Sequence, residues 1–169
     1  MKFFMILMML MLPSSGHAKC VCPKGWSVYA RHCYLYVSQP EFFYNAETIC
    51  LSKSLNGRES HLASVLYVGE ADFIAGLAPR DESSNFWIGL KGHYPSSWQW
   101  TDGEPYIFFN WGTNYPYNYL YYSDEDCVRM SDGPTHYWFN YPHCSTNYKL
   151  PYVCKMLQRY QYRPSAPLA

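Results

Sequence analysis

The chain lacks several things, and each absence removes a class of function. It has no excess of either charge, with 13 basic and 13 acidic side chains among 169 residues. That argues against a nucleic-acid partner, because neutralising phosphates needs basic residues in surplus on one face. Beyond the amino-terminal segment it has no apolar run near the about 18 residues that a membrane-spanning helix requires. It has no His-Glu-x-x-His stretch, no Gly-x-Ser-x-Gly and no glycine loop of the kind that cradles phosphate, so no familiar catalytic motif is present. It has no Asn-x-Ser/Thr sequon and no internal repeat.

The amino terminus carries an address. Lys2 precedes an unbroken apolar run, Phe3 to Leu12, which Pro13, Ser14 and Ser15 break before the small residues of Gly16-His17-Ala18. This reads as a signal peptide over residues 1–18, too short to span a bilayer, and predicts a secreted, extracellular chain. All seven cysteines follow it: Cys20, Cys22, Cys33, Cys50, Cys127, Cys144 and Cys154. In a secreted chain they read as a disulfide framework with one left over. The length fits one domain, taken as residues 19–155, with a disordered tail over 156–169 that contains Pro164 and Pro167.

Aromatic residues make up 20% of the chain, including 18 Tyr. Some build the core. The surplus suggests contact surface, since Tyr offers a flat apolar face and a hydroxyl at low entropic cost. Trp26–Tyr29 and Tyr34–Val37 read as a hairpin bracketed by Cys22 and Cys33. Ser38 is expected to cap a helix whose first turn holds Pro40 and whose apolar face is Phe43, Ala46, Ile49 and Cys50. A second helix is predicted from Val68 to Ala78, ended by Pro79. Phe86–Leu90 reads as a buried strand, Trp98–Thr101 as an alternating one turned by Asp102-Gly103. Residues 112–126 form a long loop without helical period, and such a loop inside a compact domain is usually functional. Cys127–Met130 and Tyr152–Cys154 supply further strands. Helices first and strands after predict an α+β fold.

Four motifs arrive in order: Trp87-Ile88-Gly89-Leu90; Trp98-x-Trp100-x-Asp102-Gly103 followed by Asn110-Trp111; Glu125-Asp126-Cys127-Val128; and Asn140 four residues before Cys144. Together they resemble the C-type lectin-like domain over about Cys22 to Cys154. The resemblance implies two helices, small antiparallel sheets and a long irregular binding loop. It also implies the pairs Cys22–Cys33, Cys50–Cys154 and Cys127–Cys144. Cys20 is then the odd cysteine, read as an interchain bond of a homodimer, with a capped thiol or shuffling with Cys22 as alternatives.

Sugar-binding members use calcium, a hard cation that takes roughly six to eight oxygens. Laid onto this chain, their loop tripeptide falls on Tyr115-Pro116-Tyr117, so both ligand positions are Tyr. Tyr141 replaces an Asp, while Glu125 and Asn140 survive. A neutral phenol is a poor calcium ligand. Asn118 could shift into the site, and Asp124, Glu125 and Asp126 form an acidic cluster. Glu125, Asp126 and Asn140 are therefore the residues that would hold calcium if it binds. Tyr115, Tyr117, Tyr119, Tyr121 and Tyr122 crowd the loop, opposite Tyr137, Phe139 and Tyr141, as a surface for stacking on sugar or anchoring a protein. Two binding roles follow, neither enzymatic. One is recognition of glycans or glycoproteins with weak or altered calcium dependence. The other is calcium-independent binding of a protein ligand, of the venom, matrix or biomineral type. His136 and His143 beside Cys127 and Cys144 invite zinc, a reading that fails if those cysteines pair. His61 reads as a core-edge residue rather than a base.

Overall fold

The computed structural model describes residues 18–79, 85–95, 97–118, 125–144 and 148–162. The elements run β1 (Ala18–Val21), β2 (Ser27–Tyr29), β3 (His32–Glu41), α1 (Phe43–Ser52), β4 (Ser60–Leu62), α2 (Val68–Ala75), β5 (Asn85–Gly92), β6 (Gln99–Trp100), β7 (Asp126–Ser131), β8 (Trp138–Tyr141), β9 (Leu150–Leu157) and β10 (Arg159–Tyr162). An eight-stranded sheet has the order β2-β3-β9-β5-β7-β8, with β4 paired to β9 and β6 to β5. The fold is α+β. Among the described residues the strands pair antiparallel except at the β5–β9 contact, Trp87 against Tyr152; an isolated bridge, Trp111 to Trp138, is also parallel.

Side chains alternate across this sheet, as the pleat requires. Tyr152 and Cys154 of β9 join Phe43, Ala46 and Cys50 of α1 with Trp87 and Cys127 in one cluster. Val153 joins Ala71, Ile74 and Ala75 of α2, together with Phe86, Ile88, Leu90, Val128 and Met130, in the other. The α1 face is the expected one: Phe43, Ala46 and Cys50 are buried and Ile49 packs at the margin. Gly89 is needed for a close approach, since a Cβ there would lie 2.5 Å from the Leu62 carbonyl oxygen.

Four expectations change. Ser38 and Pro40 do not start α1; they lie in β3, whose pairing with β9 continues past a bulge to Glu41 opposite Leu150. The helix starts after Phe42, without a side-chain cap. Pairing with a central strand outweighs the local capping signal. Helix α2 stops at Ala75 rather than Ala78, capped by Gly76 well before Pro79. The tail expected to be disordered from residue 156 forms strand on either side of Gln158, because β9 runs on to Leu157 and β10 (to Tyr162) pairs with β1, Cys20 opposite Tyr160. Ala18, expected in the signal peptide, opens β1; residues 1–17 and 163–169 lie outside the described residues.

Cys22–Cys33 and Cys50–Cys154 are disulfides, with Cα–Cα separations of 5.6 and 5.4 Å. The second closes a span of 104 residues and ties α1 to β9. The opposite face of β9 holds a buried ion pair that no motif announces. Lys155 and Glu70, 3% and 2% exposed, lie 2.8 Å apart. Lys155 also donates to Ser64 Oγ at 2.8 Å. Glu70 accepts from the Tyr34 hydroxyl at 2.5 Å and from the Leu66 amide at 2.7 Å. Burial, and then the Glu70 charge, push the Tyr34 phenol up, which keeps it a donor.

Removing one partner of such a pair strands a buried charge. Lys155→Met should therefore cost about 3–5 kcal/mol in denaturant unfolding. Lys149→Met, which breaks the exposed pair of Lys149 with Glu41, should cost no more than about 1 kcal/mol.

Candidate functional site

The root of the long loop is built on β8. Trp138 donates its amide to Asn110 O at 2.8 Å, and Gly112 donates to Trp138 O at 3.0 Å. Trp138 is fully buried beneath them, edge-on to Trp100, Phe108 and Trp111 at 5.6, 5.6 and 5.9 Å. Asn110 Nδ2 donates to the carbonyls of Thr135 and His136 at 2.7 and 3.0 Å. Two segments well separated along the chain thus meet as one base for the loop.

Asn140, fully buried on β8, then holds the chain beyond Pro116. Its Oδ1 accepts from the Tyr117 amide at 2.7 Å. Its Nδ2 donates to the Tyr117 carbonyl at 2.9 Å and to Asp126 Oδ2 at 2.7 Å. The Tyr115–Pro116 bond between root and clasp is cis. Asp126 is itself buried, which raises its carboxyl above the usual range; the bond from Asn140 opposes that shift.

Glu125 is engaged differently. Strand register sets Lys91 opposite Cys127, and Glu125 is the diagonal neighbour two residues back on that face. Lys91 Nζ lies 3.0 and 3.2 Å from the two carboxylate oxygens. The Tyr44 hydroxyl donates to Oε2 from α1. Burial, then this hydrogen bond, push the Tyr44 phenol up, so it remains a donor at neutral pH.

These contacts decide the fit of calcium. The positions aligned with its loop ligands are Tyr115 and Tyr117, which bring no carboxylate or amide oxygen, and Tyr141 stands where a third carboxylate is wanted. Both ends of the Asn140 amide are committed to the protein. The Glu125 carboxylate already carries an ammonium. Glu125, Asp126 and Asn140 do lie together, yet this donor set does not fit a cation that needs roughly six to eight oxygens and a charge balance. Asn118 is exposed in the described part of the loop. Tyr119, Tyr121, Tyr122 and Asp124 lie outside the described residues. Among the described residues no three His, Cys, Asp or Glu side chains converge as metal ligands; His136 instead pairs with Asp72 at 3.2 Å, and His61 binds Glu47 at 2.7 Å.

Cys127 and Cys144, the third expected pair, are brought together beside Glu125 and stand here as two buried thiols. Each thiol is turned to a carbonyl instead, Cys144 Sγ to Glu125 O at 2.9 Å and Cys127 Sγ to Tyr141 O at 3.7 Å. Burial, then the contact with Cys144, push the Cys127 thiol up and leave it protonated.

Aromatic side chains line the outer face. Tyr115 meets Phe139 edge-on at 4.8 Å, and Tyr141 meets Tyr148 at 4.8 Å. Between them Arg129 lies over both rings, 5.3 Å from the Phe139 centroid and 4.7 Å from that of Tyr141. Gly112 makes this possible, since a Cβ there would lie 2.6 Å from Phe139 Cε1. Tyr117 is 53% and Tyr148 51% exposed. Lys91, Tyr44, Arg129 and Tyr148 carry no motif that singles them out in the sequence. Only strand register, which places Arg129 opposite Phe139 and Lys91 near Glu125, reveals the two cations.

Asn140→Ala should orphan buried groups at about 1–3 kcal/mol each. Hydrogen exchange should quicken at the Tyr117 amide and leave the β5–β7 ladder protected.

The comparisons with known proteins agree with this architecture. The Lectin C-type domain profile matches residues 39–156. C-type lectin 9a of Crotalus adamanteus is 30% identical over 159 residues, covering 91% of this chain and 92% of that one. Snaclec 3 of Sistrurus catenatus edwardsii is 32% identical over 155 residues, covering 88% and 93%. Among solved structures, a calcium-independent type II antifreeze protein superposes with a TM-score of 0.70 at 26% identity, over 85% of this chain and 99% of that one. The C-type lectin CEL-I of Cucumaria echinata does so at 0.69 and 23% identity, covering 84% and 99%, a likeness of fold. The chain belongs to the C-type lectin domain family.

Proposed function

We propose that this protein is a secreted, calcium-independent binding module that docks a protein partner through the aromatic face of β8 and the loop root. The observation that carries this reading is the Lys91 ammonium on Glu125. It supplies the positive charge that a calcium ion would otherwise bring, and it does so from within the chain. The solved antifreeze protein of this fold is calcium-independent, which supports the idea that the scaffold holds without the ion. Partly exposed Tyr and Phe beside one Arg is the composition of a protein-binding hot spot. The rival reading, carbohydrate recognition with altered calcium use, draws support from the family and from exposed Tyr117 beside the Asn140 clasp.

Glycan-array binding and thermal unfolding, each with calcium and with a chelator, separate the two. No chelator-sensitive glycan signal is expected, and the unfolding midpoint should not move, because a ligand stabilises only by binding the folded state. Chelator-sensitive sugar binding would overturn the reading.

Secretion is supported by the amino-terminal segment, and an oxidising compartment would allow the adjacent Cys127 and Cys144 to close as a third bond. Cys20 is proposed as an interchain link in a homodimer, which would raise avidity. Relatives named as snaclec subunits support an assembled form. A dimer band on nonreducing electrophoresis that vanishes in Cys20→Ser is the expected result; a monomer in both removes the link.

A further inference from the structure

The cations around the sheet have different fates. Lys155 is buried against Glu70, Lys91 sits on Glu125, and Lys149 pairs with Glu41. Arg129 has no ion pair with any described residue. Its Nε is buried with no hydrogen-bond partner, an omission that ordinarily costs free energy. The guanidinium carbon lies over both Phe139 and Tyr141, 5.3 and 4.7 Å from their ring centroids, two rings on the same strand. These rings are in turn braced by Tyr115 and Tyr148. A guanidinium seated over two braced rings is restrained before any partner arrives, and its planar fork matches a carboxylate.

We propose that Arg129 is the anchor for an Asp or Glu carboxylate of the protein partner, seated in a peptide segment that also carries an aromatic or aliphatic neighbour. The proposal rests on the reading that this face docks a protein, and adds to it the charge of what is docked. A single fixed cation ringed by apolar surface complements one carboxylate flanked by apolar side chains. A sulfated polysaccharide would call for several cations along a track. The formal charge of the chain is zero, and Lys91, Lys149 and Lys155 are already paired. Charge complementarity therefore selects an acidic peptide over a polyanion.

The test is selection of a phage-displayed random peptide library on the full chain, followed by affinity measurement on the wild type, Arg129→Gln and Arg129→Lys. Enriched peptides should hold Asp or Glu next to an apolar residue. Their affinity should fall about tenfold or more with Arg129→Gln, and less with Arg129→Lys, which keeps charge but not the fork. Replacing the peptide's own Glu by Gln should cost a similar factor on the unaltered protein, a measurement that stands even if Arg129→Gln does not fold. Enriched apolar peptides without an acid, or acidic peptides indifferent to both changes, would overturn the role of Arg129 while leaving protein docking intact. No enriched peptide, with binding to glycans or to heparin instead, would overturn the docking reading and this inference with it.

Discussion

Strand β9 is gripped on both faces, and the rest of the fold depends on that constraint. On one face Cys154 is bonded to Cys50 of α1. On the other Lys155 is paired with Glu70 of α2. Adjacent residues of one strand thus fix the two helices on opposite sides of the sheet. The covalent link closes a long span, which in the chain-entropy account is where a disulfide constrains the unfolded chain most, at about 4–5 kcal/mol for roughly 100 residues. The ionic link works differently. It gains little over an apolar pair, but once built it penalises any arrangement that separates the partners. It therefore specifies where α2 sits more than it stabilises the whole. With both helices set, β9 presents β3, β4 and β5 with fixed registers, and β5 in turn sets β7 and β8, where the loop is rooted.

At Tyr117, Glu125, Asp126 and Asn140, where the family resemblance leads one to look for an ion, the protein's own groups make the contacts. A calcium ion would order such a loop by collecting oxygens from both its limbs. Here one buried amide does the collecting, since Asn140 binds the Tyr117 backbone on one limb and Asp126 on the other. The charge that remains, on Glu125, is met by Lys91 and Tyr44. Partial burial of both Lys91 and Glu125 keeps that pair from being fully screened by water. Once these bonds are in place the loop positions have no need to carry carboxylates, and tyrosines can occupy them.

Much of this is legible in the residues, for physical reasons. Trp87-Ile88-Gly89-Leu90 declares a strand buried on both faces, and Asp102-Gly103 declares a turn, realised with Gly103 at φ 77° and Glu104 donating its amide to Asp102. The apolar period of α1 reports its buried face because one helix face meets one cluster. What stays hidden depends on register. Ser38 and Pro40 look like a helix start only while β9 is unknown; once it lies alongside, the same residues extend a strand. The aromatic content points to more than core, and rings do line the outer face. Phe139 and Tyr141 are among the rings the sequence sets opposite the loop; what it does not single out is Tyr148, packed on Tyr141, and an arginine that looks like an ordinary strand residue. The acidic run before Cys127 suggests a cation site, and Glu125 does hold a cation, but it is Lys91 of the neighbouring strand.

That substitution carries a consequence for how a site of this kind can change its ligand. An ion shared between protein and ligand ties recognition to hydroxyl-bearing molecules able to complete its shell. A lysine ammonium fixed within the chain offers no open coordination position, so it orders the loop without taking part in binding. Recognition then passes to whatever the outer face presents. On this chain that face presents rings and one guanidinium with no counter-ion among the described residues, groups that favour flat apolar surface and a carboxylate. On the proposed reading, ordering and recognition, which a calcium ion would perform together, are divided between Lys91, set opposite Cys127, and Arg129, two residues further along β7. That reading makes the two separable: a change at Arg129 should alter what is bound, and a change at Lys91 should alter how Glu125 at the loop's end is held.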